Sequence, residues 1–293
     1  MNKFILVIIA GITQGVPFYL VGSGLSFTLG VMDILNFSHG VFFMIGAYIV
    51  YQLLGGLSVG IGVFMLACAA AGVLTGIVGV LTERIILRTT YERDPLVSVL
   101  ATYGIFLALT GATSLFWGGS PLSQMPAREM STVITIGNFR IPETTFWLAG
   151  IGLFVGLGLY VLVMRTAFGI RVRAVSQDRE MAAVLGVRTQ LVTVVAFFIG
   201  TFLAGLAGGL MAGQVSIDPG LGSNWVLFSF LVVVVGGLGS IRGSFYAAML
   251  LGISNSFCAG YIPNLQPYIF YIVVIVVLVI KPTGLVKSVA RHA

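Results

Sequence analysis

The chemistry open to this chain is concentrated in two places. Between residues 165 and 188 lie Arg165, Arg171, Arg173, Arg179 and Arg188, together with Asp178 and Glu180. These groups can pair ions and dock a partner, but they include no nucleophile with a neighbouring base. Ser176 is placed to cap a short helix there, with Asp178 and Glu180 in its first turns, where negative charge suits the helix dipole, and Gly186 at its end. Met181, Val184 and Leu185 then share one face at i, i+3 and i+4 spacing. The helix is expected to be about two turns long, apolar on one side and charged on the other. Two readings stand side by side: a helix that docks a partner, and a solvated loop anchored at the bilayer surface by Arg and Met. The second place is Asn36-Phe37-Ser38-His39. Asn36, Ser38 and His39, with Gly40 and Gly46 beyond them, are candidates for a solute path or gate. The plainer alternative is that Asn36 or Ser38 caps a helix and His39 bonds to backbone. A discontinuous helix would accommodate both.

Other chemistry is missing. His39 and His292 are the only histidines, and the two cysteines, Cys68 and Cys258, both lie in apolar segments. They read as small packing residues, and no zinc-type spacing exists. There is no G-x-x-x-x-G-K-[ST] phosphate loop, so ATP is not bound by that route. No metal or cofactor is expected, and an enzyme is disfavoured because acid, base and nucleophile are lacking. The turn Gly236-Gly237-Leu238-Gly239-Ser240-Ile241-Arg242-Gly243 follows an apolar run and not a soluble strand. Gly236, Gly237, Gly239 and Gly243 therefore read as a tight structural turn and not a phosphate cradle.

The elements that must position these groups are membrane spans. The chain is 58% hydrophobic and 8% charged with a mean hydropathy of +1.08, against about a quarter charged in a soluble domain. This indicates one polytopic transmembrane domain over 1–293, all-α, with lipid as its main solvent. The net charge of +6 reflects arginine clusters in short loops, the positive-inside pattern, and carries no basic stripe for nucleic acid. The loops 83–94 and 165–190 are accordingly cytoplasmic, as is the tail with Lys281, Lys287 and Arg291. The polar stretch 118–145 is the long loop of the opposite, periplasmic side. Its β-branched residues around Gly137-Asn138 suggest a small hairpin. The N-terminus reads as a retained span, with Lys3 a slight argument for a cytoplasmic start. Eight or nine spans are expected, some broken or re-entrant. The glycines at 11, 15, 22 and 24 and Pro17 suggest a kinked or broken first helix. Ser38-His39-Gly40-Val41-Phe42-Phe43 and Ile241-Arg242-Gly243-Ser244-Phe245-Tyr246 hint at an internal repeat. Beyond Asp33 and His39 no ionisable group appears at bilayer depth, so a carrier driven by protons or sodium has nothing to hold its ion. Energy must then come from outside the chain, or the protein is a passive channel.

Three stretches together resemble one family. Asn36-Phe37-Ser38-His39-Gly40-Val41-Phe42-Phe43, the loop from Arg165 to Val187, and Val232 to Gly252 with its glycine-rich turn are similar, in order, to segments of the inner-membrane permeases of branched-chain amino acid ABC importers. The resemblance covers most of the chain and implies a permease subunit of the bacterial inner membrane. It implies pairing with a homologous second permease (or with itself), two cytoplasmic ATPases, and a periplasmic binding protein that delivers the solute. It also implies that Ser176–Gly186 is the coupling helix, with Arg173, Ser176, Asp178, Glu180, Met181, Ala182 and Gly186 at the ATPase contact. The importer signature is Glu-Ala-Ala, three residues, then Gly. Glu180, Ala182 and Gly186 fill it, whereas Met181 departs from it. An energy-independent facilitator or secondary carrier is the alternative class.

Overall fold

A computed structural model describes residues 2–91, 93–136 and 139–286. It is helical nearly throughout: α1 (Asn2–Met32), α2 (His39–Leu54), α3 (Ile61–Ile85), α4 (Pro95–Trp117), α5 (Glu143–Arg165), α6 (Ala167–Gln177), α7 (Arg179–Val184), α8 (Thr189–Met211), α9 (Leu221–Gly236), α10 (Ile241–Tyr261) and α11 (Ile269–Ile280). A two-stranded antiparallel ribbon, β1 (Val133–Ile136) and β2 (Phe139–Pro142), is the hairpin that the β-branched residues suggested. Its turn pair, Gly137-Asn138, lies outside the described residues, as do Lys287, Arg291 and His292 of the tail.

Among the described residues, six helices are long and apolar enough to cross a membrane, or seven if the pair α9 and α10, bent by 114° at its break, forms one span. The expected eight or nine counted α2, α9 and α10 as separate crossings. Helices α2 and α9 have 16 residues each, about 24 Å of rise against a hydrocarbon core of about 30 Å. The first helix is not broken: α1 runs unbroken through its glycines and Pro17.

The two ends of the bundle can be told apart. Met32 and Asp33 at the end of α1 share a cavity with Glu83, Arg88, Arg93, Arg179 and Glu180. Gly30 approaches Gly239 of the glycine turn. The arginine loops and the glycine turn therefore share one end. At the other end Trp117 Nε1 donates to Gln52 Oε1 (2.9 Å), Ser58 Oγ to the Pro126 carbonyl (2.9 Å), and Leu122 bridges Ile217. The start of α1 belongs to that second end, where Ser256 Oγ donates to the Val7 carbonyl and Asn255 Nδ2 to Gln14 Oε1. The slight argument from Lys3 pointed the other way.

The bundle is an inverted repeat. Helix α1 runs toward the arginine-loop end and α8 away from it. They cross at Gly24 and Gly200, where a Cβ on Gly24 would lie 2.6 Å from the Gly200 carbonyl oxygen and a Cβ on Gly200 2.8 Å from the Gly24 carbonyl oxygen. The starts of α2 and α9 meet in the same reciprocal way at Gly40 and Gly222. Three residues further along each helix, Phe43 stacks on Trp225 with centroids 3.9 Å apart. Helix α3 packs on α8, with Gly79 against Thr201 and Gly72 against Phe202. In the same way α10 packs on α1, with Gly252 against Gly11 and Gly15. One pseudo-two-fold axis thus relates α1–α4 to α8–α11, a form of symmetry that membrane transport proteins often use. The counterpart of Gly40 is Gly222 of α9, and not Gly243 of α10 as the matched hexapeptides suggested. Small residues at these crossings let backbones approach where lipid offers no hydrophobic drive.

Candidate functional site

The arginine loop folds as two helices. Thr166 caps α6, its Oγ1 accepting from Gly169 N at 3.1 Å, and Arg173 donates back to the Val163 carbonyl at the end of α5. Ser176 does not cap the second helix. It sits in the last turn of α6 and its Oγ donates to the Arg173 carbonyl. The cap of α7 is Asp178, extended at φ −152°, whose Oδ1 accepts from Met181 N at 2.8 Å. A carboxylate at that place is stabilising both as an acceptor and as a charge near the positive end of the helix. Glu180 follows in the first turn. Gly186, at φ +83°, ends the helix, with Gly186 N donating to the Ala183 carbonyl and Val187 N to Ala182. A side chain would strain that left-handed backbone. The helix is six residues long, close to the two turns expected.

Ala182 is buried, and Met181, Val184 and Leu185 are 55%, 82% and 75% exposed. The apolar face that the spacing describes is thus turned outward, with no cover from the described residues. Arg179 anchors the other side, its guanidinium 5.3 Å from the centre of the Tyr91 ring, a cation–π distance. Tyr91 Oη donates to Glu83 Oε1 at 2.8 Å. Burial raises the Tyr91 phenol pKa above its ordinary value, and the hydrogen bond to Glu83 and its charge raise it further. The phenol therefore keeps its proton at neutral pH. Arg88 donates to Gln190 Oε1 across the same seam. Helix α7 is in this way tied to the end of α3 and to the loop before α4.

Glu83, Tyr91 and Gln190 were not singled out from sequence. Residues 83–94 read as a charged loop, whereas α3 continues to Ile85 and buries Glu83 to 1% exposure. The signal was present in the pairing of Glu83 with an aromatic hydroxyl eight residues on, which periodicity does not show. Tyr91→Phe would keep the ring under Arg179 but remove the donor to a buried carboxylate. A bond to a charged group contributes about 1.5–3 kcal/mol. The variant is expected to melt several degrees lower in detergent. An unchanged melting temperature would remove the tie.

The second group lies inside the bundle. His39 Nε2 is 3.0 Å from the Val21 carbonyl; a carbonyl only accepts, so that nitrogen carries the proton. Val21 is eleven residues before the end of α1, about 16 Å from the arginine-loop end at 1.5 Å per residue. The chain turns at Asp33, which has φ +53°, a region Asp tolerates better than most residues. Residues 33–38 then climb back without helix, so α2 starts deep in the bundle. The Asn36 Oδ1 oxygen accepts from Ser38 N (3.0 Å) and Ser38 Oγ (2.5 Å), and Phe37 N donates to Thr102 Oγ1 of α4 (3.2 Å). Ser38 occupies the N-cap position without a side-chain cap bond. Asn36, Ser38, His39 and Gly40 are all buried, and Gly46 is packed on the Gly205 backbone. These residues satisfy an interrupted backbone at depth, which must find partners inside the protein.

The glycine turn closes the arginine-loop end. Gly237 and Gly239 have φ of +101° and +76°, and Ser240 Oγ accepts from Gly243 N at 3.1 Å. The Gly236 and Gly243 backbones touch, and Leu285 N donates to Val235. The structure thus brings the glycine turn and the arginine loop to one end and leaves the Asn36–Gly46 group apart from both. No group of three or more His, Cys, Asp or Glu that could hold a metal occurs among the described residues.

An interrupted-helix bundle with one uncovered amphipathic helix at its basic end is the architecture of a membrane transport subunit. The chain belongs to the family described as the branched-chain amino acid transport system permease component, which it matches over residues 7–281. It is 27% identical to the high-affinity branched-chain amino acid transport system permease protein BraD of Pseudomonas aeruginosa, over 95% of this chain and 94% of that one. It is likewise 27% identical to the LivH permease protein of Escherichia coli, over 94% of this chain and 92% of that one. A probable branched-chain amino acid transport permease of Methanocaldococcus jannaschii is 27% identical over 91% and 87%. A ribose import permease of Bacillus subtilis is 26% identical over 58% of this chain and 53% of its own. No solved structure matches.

Proposed function

We propose that this chain is the membrane permease of an ATP-driven importer in the bacterial inner membrane, and that branched-chain amino acids or a related small solute pass along it. The observation that carries this reading is the uncovered apolar face of α7, held on a charged end by Asp178, Arg179 and Tyr91. Two cytoplasmic ATPases would dock there, a periplasmic binding protein would deliver solute at the opposite end, and a second permease would complete the path. ATP is hydrolysed by those partners and not by this chain. In this reading α7 is the coupling helix, with Arg173 and Ser176 behind it on α6, Glu180 and Met181 at the contact, and Ala182 and Gly186 setting its shape.

The re-entry at 33–38 supports a count of nine crossings. Residues 33–54 cross once as an extended piece plus α2, and residues 212–236 cross once as a loop plus α9. The start of α1 is then periplasmic and the tail cytoplasmic. Asn36, Ser38, His39, Gly40 and Gly46 hold the hinge of the first interrupted crossing, through which a solute path would open. Alternating access follows if α7 pulls on the α3–α4 seam through Arg179 and Tyr91.

The test is uptake in proteoliposomes with the ATPase, the second permease and the binding protein. Vanadate is expected to stop it, and a protonophore at constant ATP to leave it unchanged. Uptake that survives without ATP would instead support a facilitator, and collapse with the protonophore a carrier.

A further inference from the structure

On the side of the bundle, α5, α1 and α10 enclose an apolar groove of about 260 Å³. Its floor is Gly152, Gly156 and Tyr19, and its walls include Leu157 and Phe245, both exposed at the bundle surface. Gly152 is thirteen residues before the end of α5, so the groove reaches about 20 Å inward from the arginine-loop end. That is about the depth of one leaflet. At the arginine-loop end it runs into a second cavity of about 190 Å³, with which it shares Val163, Met164, Ile241 and Arg242. The second cavity adds Arg173, Ser176 and Ser240. Among the described residues, neither cavity is lined by an Asp or Glu side chain. The Arg242 guanidinium stands at the junction, 5.5 Å from the centre of the Tyr160 ring.

The arrangement is amphiphilic along its length: apolar at membrane depth, then two arginines and two hydroxyls at the level of the headgroups. We propose that it holds one anionic phospholipid of the cytoplasmic leaflet, an acyl chain in the groove and the phosphate against Arg242 and Arg173. Charge complementarity selects this occupant over a neutral lipid, because basic pockets between spans on the cytoplasmic side attract anionic headgroups. The site touches α6 and the glycine turn, so the lipid braces the base on which α7 stands. The proposal rests on the membrane placement of this end and not on the identity of the solute.

The test uses the full transporter complex in nanodiscs of equal phosphatidylglycerol and phosphatidylcholine, extracted mildly and read by native mass spectrometry. One retained phosphatidylglycerol per copy of this chain is expected. Arg242→Gln is expected to lower that retention roughly fivefold, the ratio corresponding to about 1 kcal/mol for one arginine near the headgroups. Leu157→Trp, which fills the groove and leaves both arginines, should lower it too. Both variants are checked for intact assembly by size-exclusion chromatography, either one suffices if the other fails to assemble, and Leu115→Trp, exposed elsewhere on the bundle and outside both cavities, is the control that should leave retention unchanged. Retention unchanged in Arg242→Gln and Leu157→Trp, equal retention of the two lipids, or loss with Leu115→Trp would each overturn the proposal. So would a cysteine at 157 that cross-links to the second permease, because the groove would then be a subunit interface.

Discussion

Leucine in place of Gly208 is expected to abolish recovery of folded protein from the membrane. Gly208 faces α2, and a Cβ there would fall on the Phe43 carbonyl oxygen and lie 3.2 Å from Ala47 N. The obstacle is backbone, so no rotamer relieves it. Overpacking a core that can adjust costs about 1–3 kcal/mol; here two helices must separate, and the Phe43–Trp225 stack at the pseudo-two-fold axis separates with them. A loss beyond that range is a large share of the 5–15 kcal/mol typical of folded proteins. Gly150 of α5 is the control, with open space around its Cβ position. Gly150→Leu should give a monodisperse peak at normal yield, while Gly208→Leu should give aggregate or nothing. Equal peaks would mean that α2 and α8 do not meet as described.

The second large effect is at α7. Val184→Asp with Leu185→Asp is expected to remove ATP-driven uptake while insertion and melting temperature stay near normal. Both side chains are exposed in the isolated chain, so the native fold loses little. Burying a Val or Leu side chain contributes about 1.5–3 kcal/mol. Losing two from a docking contact lowers affinity by about a hundredfold or more. Gly186→Pro should act in the same direction by another route: proline fixes φ near −65° where the chain needs +83°, and it removes the Gly186 N–H that bonds Ala183. ATPase that still copurifies and is still stimulated in both variants would sink the docking role. Glu180→Lys adds a milder version, reversing a charge next to the positive end of a short helix.

Much of this was legible in the sequence because charge and hydropathy carry it. Arginines placed residues 83–94 and 165–190 at one end, and apolar runs located the long helices to within a few residues. The amphipathic face of α7 was visible from Met181, Val184 and Leu185 alone. The cap was misplaced by two residues because Ser176 and Asp178 are both good caps, and only the bend between α6 and α7 chooses between them. The depth of His39 was hidden, since an apolar run does not say how far into the membrane a helix begins. That depth is fixed by the αL turn at Asp33 and by the contact with Val21. The inverted repeat was hidden for a different reason. What is repeated is a close approach of backbones and an aromatic stack, carried by Gly40 and Phe43 in one half and by Gly222 and Trp225 in the other. The intervening residues, Val41-Phe42 and Ser223-Asn224, share nothing that a residue comparison would find. Glu83 was hidden because a carboxylate next to arginines looks like part of a solvated loop until its partner, Tyr91, is placed.

The account rests on α7 being the surface through which the ATPase acts. A photo-reactive side chain at Val184, which is 82% exposed, gives the most direct measurement. In assembled, transporting complex, light should join this chain to an ATPase subunit in high yield, and the same probe at Leu115 should not. A complex that transports normally and gives no ATPase cross-link from residue 184 would contradict the account.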